Sequence, residues 1–178
     1  MSAAREKTVM DKEEISLALK RIAKEIIANN KDAKEIVLIG ILNRGLPLAN
    51  RLANLVEGLE GVRIPVGSLD VSLHRDDIMK KGSKIEVKRS DIPFSIDGKV
   101  VILVDDVIYA GRTIRAAMDS LADYGRASRI HLVALVDRGR RELPIHPDYV
   151  GKKVSTAADE DVTVNLTEID GIDKAVIK

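Results

Sequence analysis

The chain has 178 residues, enough for one domain that buries about 70% of the surface its unfolded form would expose, and a composition of 45% hydrophobic and 32% charged residues excludes intrinsic disorder. It has no cysteine, which excludes a disulfide framework and thiolate metal sites, and its net charge of +1 gives no whole-chain argument for nucleic acid. The N-terminal stretch lacks the apolar core of a signal peptide and no window is apolar enough to span a bilayer, so a cytoplasmic protein without a membrane partner is expected.

Charge is nonetheless uneven. Between Arg126 and Lys153 basic residues outnumber acids, while the tail after Val154 is acidic. Asp11 and Glu14 form a capping-box pattern, and Ile15, Leu19, Ile22 and Ile26 then recur at helical spacing, which predicts a first helix ending near Asn29 and Asn30. Glu35 to Gly40 is a short β-branched run of the kind that forms a buried parallel strand, followed by a helix from Leu46 to about Leu59. Val66 to Leu73 reads as the next strand, and residues 74–90 have the charged, glycine-bearing composition of a flexible lid loop. Asp97 and Gly98 turn into the most apolar strand, Val100 to Val104, after which Ile114, Met118 and Leu121 mark a helix. Ile130 to Val136 follows as a strand, and two short strands, Val162 to Leu166 and Ala175 to Ile177, are expected to finish the same sheet. The alternation implies an α/β fold in which a mainly parallel central sheet is flanked by helices, as a single domain over residues 1–178.

In such sheets ligands sit beyond the carboxyl ends of the strands. Three loops qualify: Ile41 to Gly45, Asp105 to Thr113, and Asp137 to Gly139. The central one is the most informative. Asp105 and Asp106 leave the strand as adjacent carboxylates, and Ala110-Gly111-Arg112-Thr113 opens a helix whose unpaired amides suit a phosphate monoester. Two carboxylates upstream are placed to accept hydrogen bonds from a sugar diol and to favour positive charge developing on the ring. Acids at strand ends often only cap the next helix and glycine often only allows a turn; taken together, though, phosphate at one end and diol at the other define a phosphoribosyl group.

The run Val101 to Thr113 resembles the signature of type I phosphoribosyltransferases. Ala134 to Gly139, Arg141 to Ile145 and Asp148 to Lys152, with Leu73 to Asp77 and Asn43-Arg44-Gly45, resemble more closely the bacterial pyrimidine operon regulators that double as uracil phosphoribosyltransferases. The resemblance implies the type I fold and transfer of ribose 5-phosphate from phosphoribosyl diphosphate (PRPP) to uracil, giving UMP and diphosphate, with Mg2+ carried by the donor and no protein metal ligand assigned. It assigns catalytic importance to Asp105, Asp106, Arg44 and Arg75. Asp105 and Asp106 would hold the ribose, and Val107, Ile108, Tyr109, Ala110, Gly111, Arg112 and Thr113 would wrap the 5-phosphate. Asn43, Arg44 and Gly45 would bind the diphosphate, and Arg75, Asp76 and Asp77 would begin the lid. Uracil would be read around Val136, Asp137 and Arg138 and near Val162. Ala110 and Asn43 stand where threonine is usual in the family, which implies weakened donor binding.

The same resemblance implies a homodimer or higher homo-oligomer that binds pyrimidine operon messenger leader hairpins under control of UMP or UTP, as in transcription attenuation. Lys20, Arg21 and Lys24 on the first helix, with Arg140, Arg141, His146 and Lys152, are the candidate RNA surface; the bland alternative is a solvated charged face. Aromatics are only 2% of the chain, so base stacking is not the expected mode of recognition. Two rival readings remain open: a nucleotide- or PRPP-sensing RNA-binding regulator with little catalysis, and a phosphoribosyltransferase for another base. His74, His131 and His146 are too scattered for a metal site.

Overall fold

A computed structural model describes residues 6–72 and 89–178. The expected lid, with Arg75, Asp76 and Asp77, falls outside the described residues up to position 88. Five strands form a parallel sheet in the order β3-β2-β4-β5-β6, with β2 at Ile36–Ile41, β3 at Val66–Leu69, β4 at Val100–Ile108, β5 at Arg129–Asp137 and β6 at Tyr149–Lys153.

Helix α1 (Lys12–Asn29) starts at the capping box, where the Asp11 carboxylate accepts from the Glu14 amide and Glu14 accepts from the Asp11 amide. Helices α2 (Gly45–Glu60) and α3 (Arg112–Leu121) follow β2 and β4. Strand alternation divides the core between the two faces of the sheet. Ile36, Leu38, Ile102 and Val104 join Ile22, Ile26, Leu48 and Leu52 of α1 and α2 on one side. Val37, Ile39, Val101 and Leu103 join Ile114, Ala117 and Leu121 of α3 on the other.

Four of the expected strands differ from the sequence-based expectation. The two late strands do not finish the parallel sheet: β7 (Val162–Asn165) and β8 (Lys174–Ile177) pair antiparallel with each other, and β8 also pairs with β1 (Lys7–Met10), which makes a separate three-stranded sheet. The four-residue helix α4 (Thr167–Asp170) links β7 to β8. Strand β3 ends at Leu69 rather than Leu73, because the Asp70 carboxylate accepts from both the backbone amide and the hydroxyl of Ser72 and turns the chain. Strand β4 runs through both aspartates to Ile108, longer than its apolar stretch suggested, since β5 continues to pair with it after β2 has left.

Glycine permits the turn by which the chain leaves β2. A Cβ at Gly45 would lie 2.2 Å from the Val104 carbonyl oxygen, and one at Gly40 would lie 2.4 Å from Leu46 Cα, so the turn into α2 folds tightly over β4 only because neither position has a side chain. Gly45→Ala must push α2 off the sheet, at a cost of about 1–3 kcal/mol typical of overpacking. The expected result is a clearly lowered thermal melting temperature; an unchanged melt would show that the turn can relax around a methyl group.

Candidate functional site

A cleft of about 1010 Å³ opens at the carboxyl ends of β2, β3, β4 and β5, and β7 of the small sheet walls its far side. Asn43, Arg44, Asp105, Asp106 and every residue from Val107 to Thr113 line it. Of the residues expected around uracil, Arg138 and Val162 line it too, whereas Val136 is packed in the core and the Asp137 carboxylate accepts from Arg141 and the Gly139 amide. Gly45 lies beneath the cleft against Val104 rather than on its surface.

The two aspartates stand at the point where β4 has lost one neighbour. The Asp105 carboxylate accepts from the Asp106 amide at 2.9 Å, and that of Asp106 accepts from the Val107 amide at 2.9 Å, which orients both side chains by local backbone bonds. Burial raises the Asp106 pKa, against the lowering effect of its hydrogen bond with Asp105 and of the Arg44 charge.

Gly111, the residue before α3, is in the left-handed region with φ 93°, and no side chain caps the helix, so its first amides have no side-chain partner at the end of α3 that lines the cleft with Thr113. The turn from Tyr109 to Thr113 is braced from behind by the segment 139–145. Amides of Glu142 and Leu143 donate to the Ala110 carbonyl at 3.0 and 3.2 Å, Arg141 donates to the Tyr109 carbonyl, and Glu142 pairs with Arg112 at 2.7 Å. Arg138, only 6% exposed, lies with its guanidinium 4.3 Å from the Tyr109 ring centroid and donates to Asp161, Thr156 and the Glu160 carbonyl. It therefore joins the turn that leads into α3 to the residues that precede β7.

Arg44 points along the cleft but pairs with an acid nobody would choose from local sequence. Its Nε and Nη2 donate to the two carboxylate oxygens of Asp170 at 3.1 and 2.8 Å. Asp170, Asp161 and the β7 residues Thr163 and Val164 were not among the sequence-derived candidates. The only signal for Asp170 and Asp161 was the acidic character of the tail opposite a basic middle.

The candidate RNA residues divide. Arg21 donates to the Val150 and Gly151 carbonyls of edge strand β6 at 2.8 Å each, and Lys152 of that strand donates to the Val9 carbonyl and pairs with Glu14. These contacts put α1 and β6 on one face, which Lys20 and Lys24 extend as exposed cations. Arg140 and His146 are exposed on the loop between β5 and β6, whereas Arg141 is largely buried and serves as the brace described above. A charge reversal at Arg21 or Lys152 thus disturbs packing as well as surface charge.

The chain matches the phosphoribosyl transferase domain family over residues 7–170. It belongs to that family. It is 51% identical over 172 residues to the bifunctional protein PyrR of Chloroflexus aurantiacus, covering 97% of this chain and 94% of that one. To the bifunctional protein PyrR of Pelotomaculum thermopropionicum it is 52% identical over 175 residues, covering 98% and 97%. Among solved structures, a hypoxanthine-guanine phosphoribosyltransferase of Bacillus anthracis superposes with a TM-score of 0.72 at 21% identity, covering 96% of each chain. The hypoxanthine phosphoribosyltransferase of Trypanosoma cruzi gives 0.71 at 19% identity, covering 96% and 95%. The fold is therefore that of the type I phosphoribosyltransferases, and by sequence the chain belongs to the PyrR family.

Asp106 should trade stability for function. Its raised pKa means that the ionised form costs folding free energy at neutral pH and that the cost is relieved as pH falls through the folded-state value. Asp106→Asn should leave the melting temperature at pH 7 unchanged or higher, lose its advantage over wild type in acid, and cut transferase activity by about a hundredfold or more. A strongly destabilised Asn variant at pH 7 would show that the carboxylate is structural.

Proposed function

We propose that this protein transfers ribose 5-phosphate from PRPP to uracil and also regulates pyrimidine operon expression by nucleotide-dependent binding of messenger leader hairpins. The single observation that carries the transferase half is the juxtaposition, in one cleft, of the Asp105–Asp106 pair with the uncapped start of α3. The family match and identity of about half the residues to bifunctional PyrR proteins support the double role.

In this reading the α3 amides and Thr113 hold the 5-phosphate, and Asp105 and Asp106 take the ribose hydroxyls. Arg44 and the Asn43 turn face the diphosphate. Uracil lies between Arg138 and β7, with Val162 against the ring and backbone groups reading its edge. The bond between C1′ and the diphosphate oxygen breaks with its electron pair leaving on diphosphate; N1 of uracil bonds to C1′ and releases its proton to solvent. Positive charge on the ring in between is favoured by the two aspartates, which supply negative charge where water is largely excluded. Arg75, Asp76 and Asp77 would begin the lid that closes over the donor.

Magnesium fits this arrangement as part of the donor complex. Asp105 and Asp106, whose carboxylates line the cleft, are hard oxygen groups that would stand beside an ion carried by the donor. When bound it neutralises charge on the leaving group. For RNA, the joined face of α1 and β6, with Lys20, Arg21, Lys24 and Lys152, is the surface best supported, extended in a homo-oligomer and with Arg140 and His146 at its margin. No helix among the described residues is long and apolar enough to cross a membrane.

Mixing the protein with PRPP, magnesium and each nucleobase in turn should give turnover with uracil and little with purines or orotate. Turnover with another base, or with none, would replace this reading by one of its rivals. Restoring a hydroxyl by Ala110→Thr should tighten donor binding by about tenfold, the worth of one hydrogen bond to a charged group. Equal apparent donor affinities in the two proteins would remove Ala110 as a cause of weak binding.

A further inference from the structure

The pairing of Arg44 with Asp170 is unexplained by the transferase scheme, because it ties a residue facing the donor to the loop behind the base wall. An arginine has five donors in a rigid fork. Asp170 engages only the Nε and Nη2 edge, at 3.1 and 2.8 Å, and Nη1 makes no hydrogen bond among the described residues. The carboxylate therefore leaves the outer edge of the guanidinium available to a second anion, so the pair need not break for one to bind.

Asp170 is itself held by two independent devices. Its Oδ2 also accepts from the Leu166 amide at 2.8 Å, which closes the short helix α4. On either side of it, Glu168 and Asp173 are clamped by Arg51 of α2, with contacts of 2.6 to 3.0 Å. The chain just before α4 is β7, whose Val162, Thr163 and Val164 line the cleft. We infer that Asp170 is a positioning residue that fixes the Arg44 guanidinium by one edge and so presents the other to the diphosphate of the donor, coupling the donor loop to the base-binding wall. This inference rests on the assignment of Arg44 to the diphosphate in the proposed function.

The test is Asp170→Asn, which keeps an oxygen to accept from the Leu166 amide but removes the charge and the two-point grip. Donor dissociation constants are measured by calorimetry with magnesium and PRPP and no base, beside steady-state kinetics with uracil. The donor Kd and KM should rise about tenfold while kcat changes less than about twofold. In an Arg44→Ala background, Asp170→Asn should have no further effect on donor affinity, whereas a merely structural role would persist there. Asp170→Glu, which retains the charge, should recover part of the lost affinity and serves also if the Asn variant folds poorly. Unchanged or tighter donor binding in Asp170→Asn, a penalty that survives removal of Arg44, or a Glu variant no better than Asn would each overturn the inference. Because donor binding is read without a base, absence of uracil turnover in the wild type would defeat the proposed reaction without deciding this point.

Discussion

The site depends on one close approach of backbone to backbone, that of Gly45 to the Val104 carbonyl at the last residue of β4 that pairs with β2. With no side chain in the way, α2 starts directly over the strand end. The strand itself runs on beside β5 for four more residues. Two consequences follow from the same geometry. Asp105 and Asp106 emerge where one side of the strand has no neighbour, and Arg44, the residue before Gly45, is brought close enough for its charge to act on Asp106. A bulkier residue at position 45 would separate the cation from the carboxylates and open the floor of the cleft.

The second half of the cleft comes from a different layer. The small antiparallel sheet is built from the two ends of the described chain and supplies β7 as a wall, and ion pairs between α2 and the α4 region fasten it. Burial alone would raise the Asp173 carboxyl, yet hydrogen bonds from Arg51 and Thr167 outweigh it and hold the pKa at about 2. A group lowered in this way stabilises the fold above its unfolded value and loses that contribution as pH falls toward 2, so the attachment is complete at neutral pH. Several of these side chains are partly exposed, and pairs of that kind contribute little to stability individually. What a two-point arginine grip supplies is geometry, holding the small sheet in a fixed place beside α2.

Much of this was readable from residue order. The capping box at Asp11 and Glu14, the buried run ending at Gly40, and the acids followed by Ala110-Gly111-Arg112-Thr113 are local patterns whose physics acts within a few residues. Strands β1 and β6 escaped because they are short and carry lysines: Lys7 begins one, and Lys152 and Lys153 end the other. The late strands were recognised as strands but placed in the wrong sheet, since alternation along β7 states which side chains turn inward and nothing about the neighbour. Asp170 was unreadable for the same reason, because its partner lies 126 residues away.

Charge misleads in a related manner. Arg141 and Arg140 are adjacent cations in a basic stretch, yet Arg140 is exposed while Arg141 spends its donors on Asp137 and on the carbonyls of Tyr109, Gly139 and Ile145. The whole segment from Arg138 to Ile145 behaves as a brace for the turn before α3, through Arg138 against Tyr109 and two amides on the Ala110 carbonyl. Since Arg138 is also anchored by Asp161 beside β7, packed and hydrogen-bonded groups connect the turn at the start of α3 with the β7 wall of the cleft.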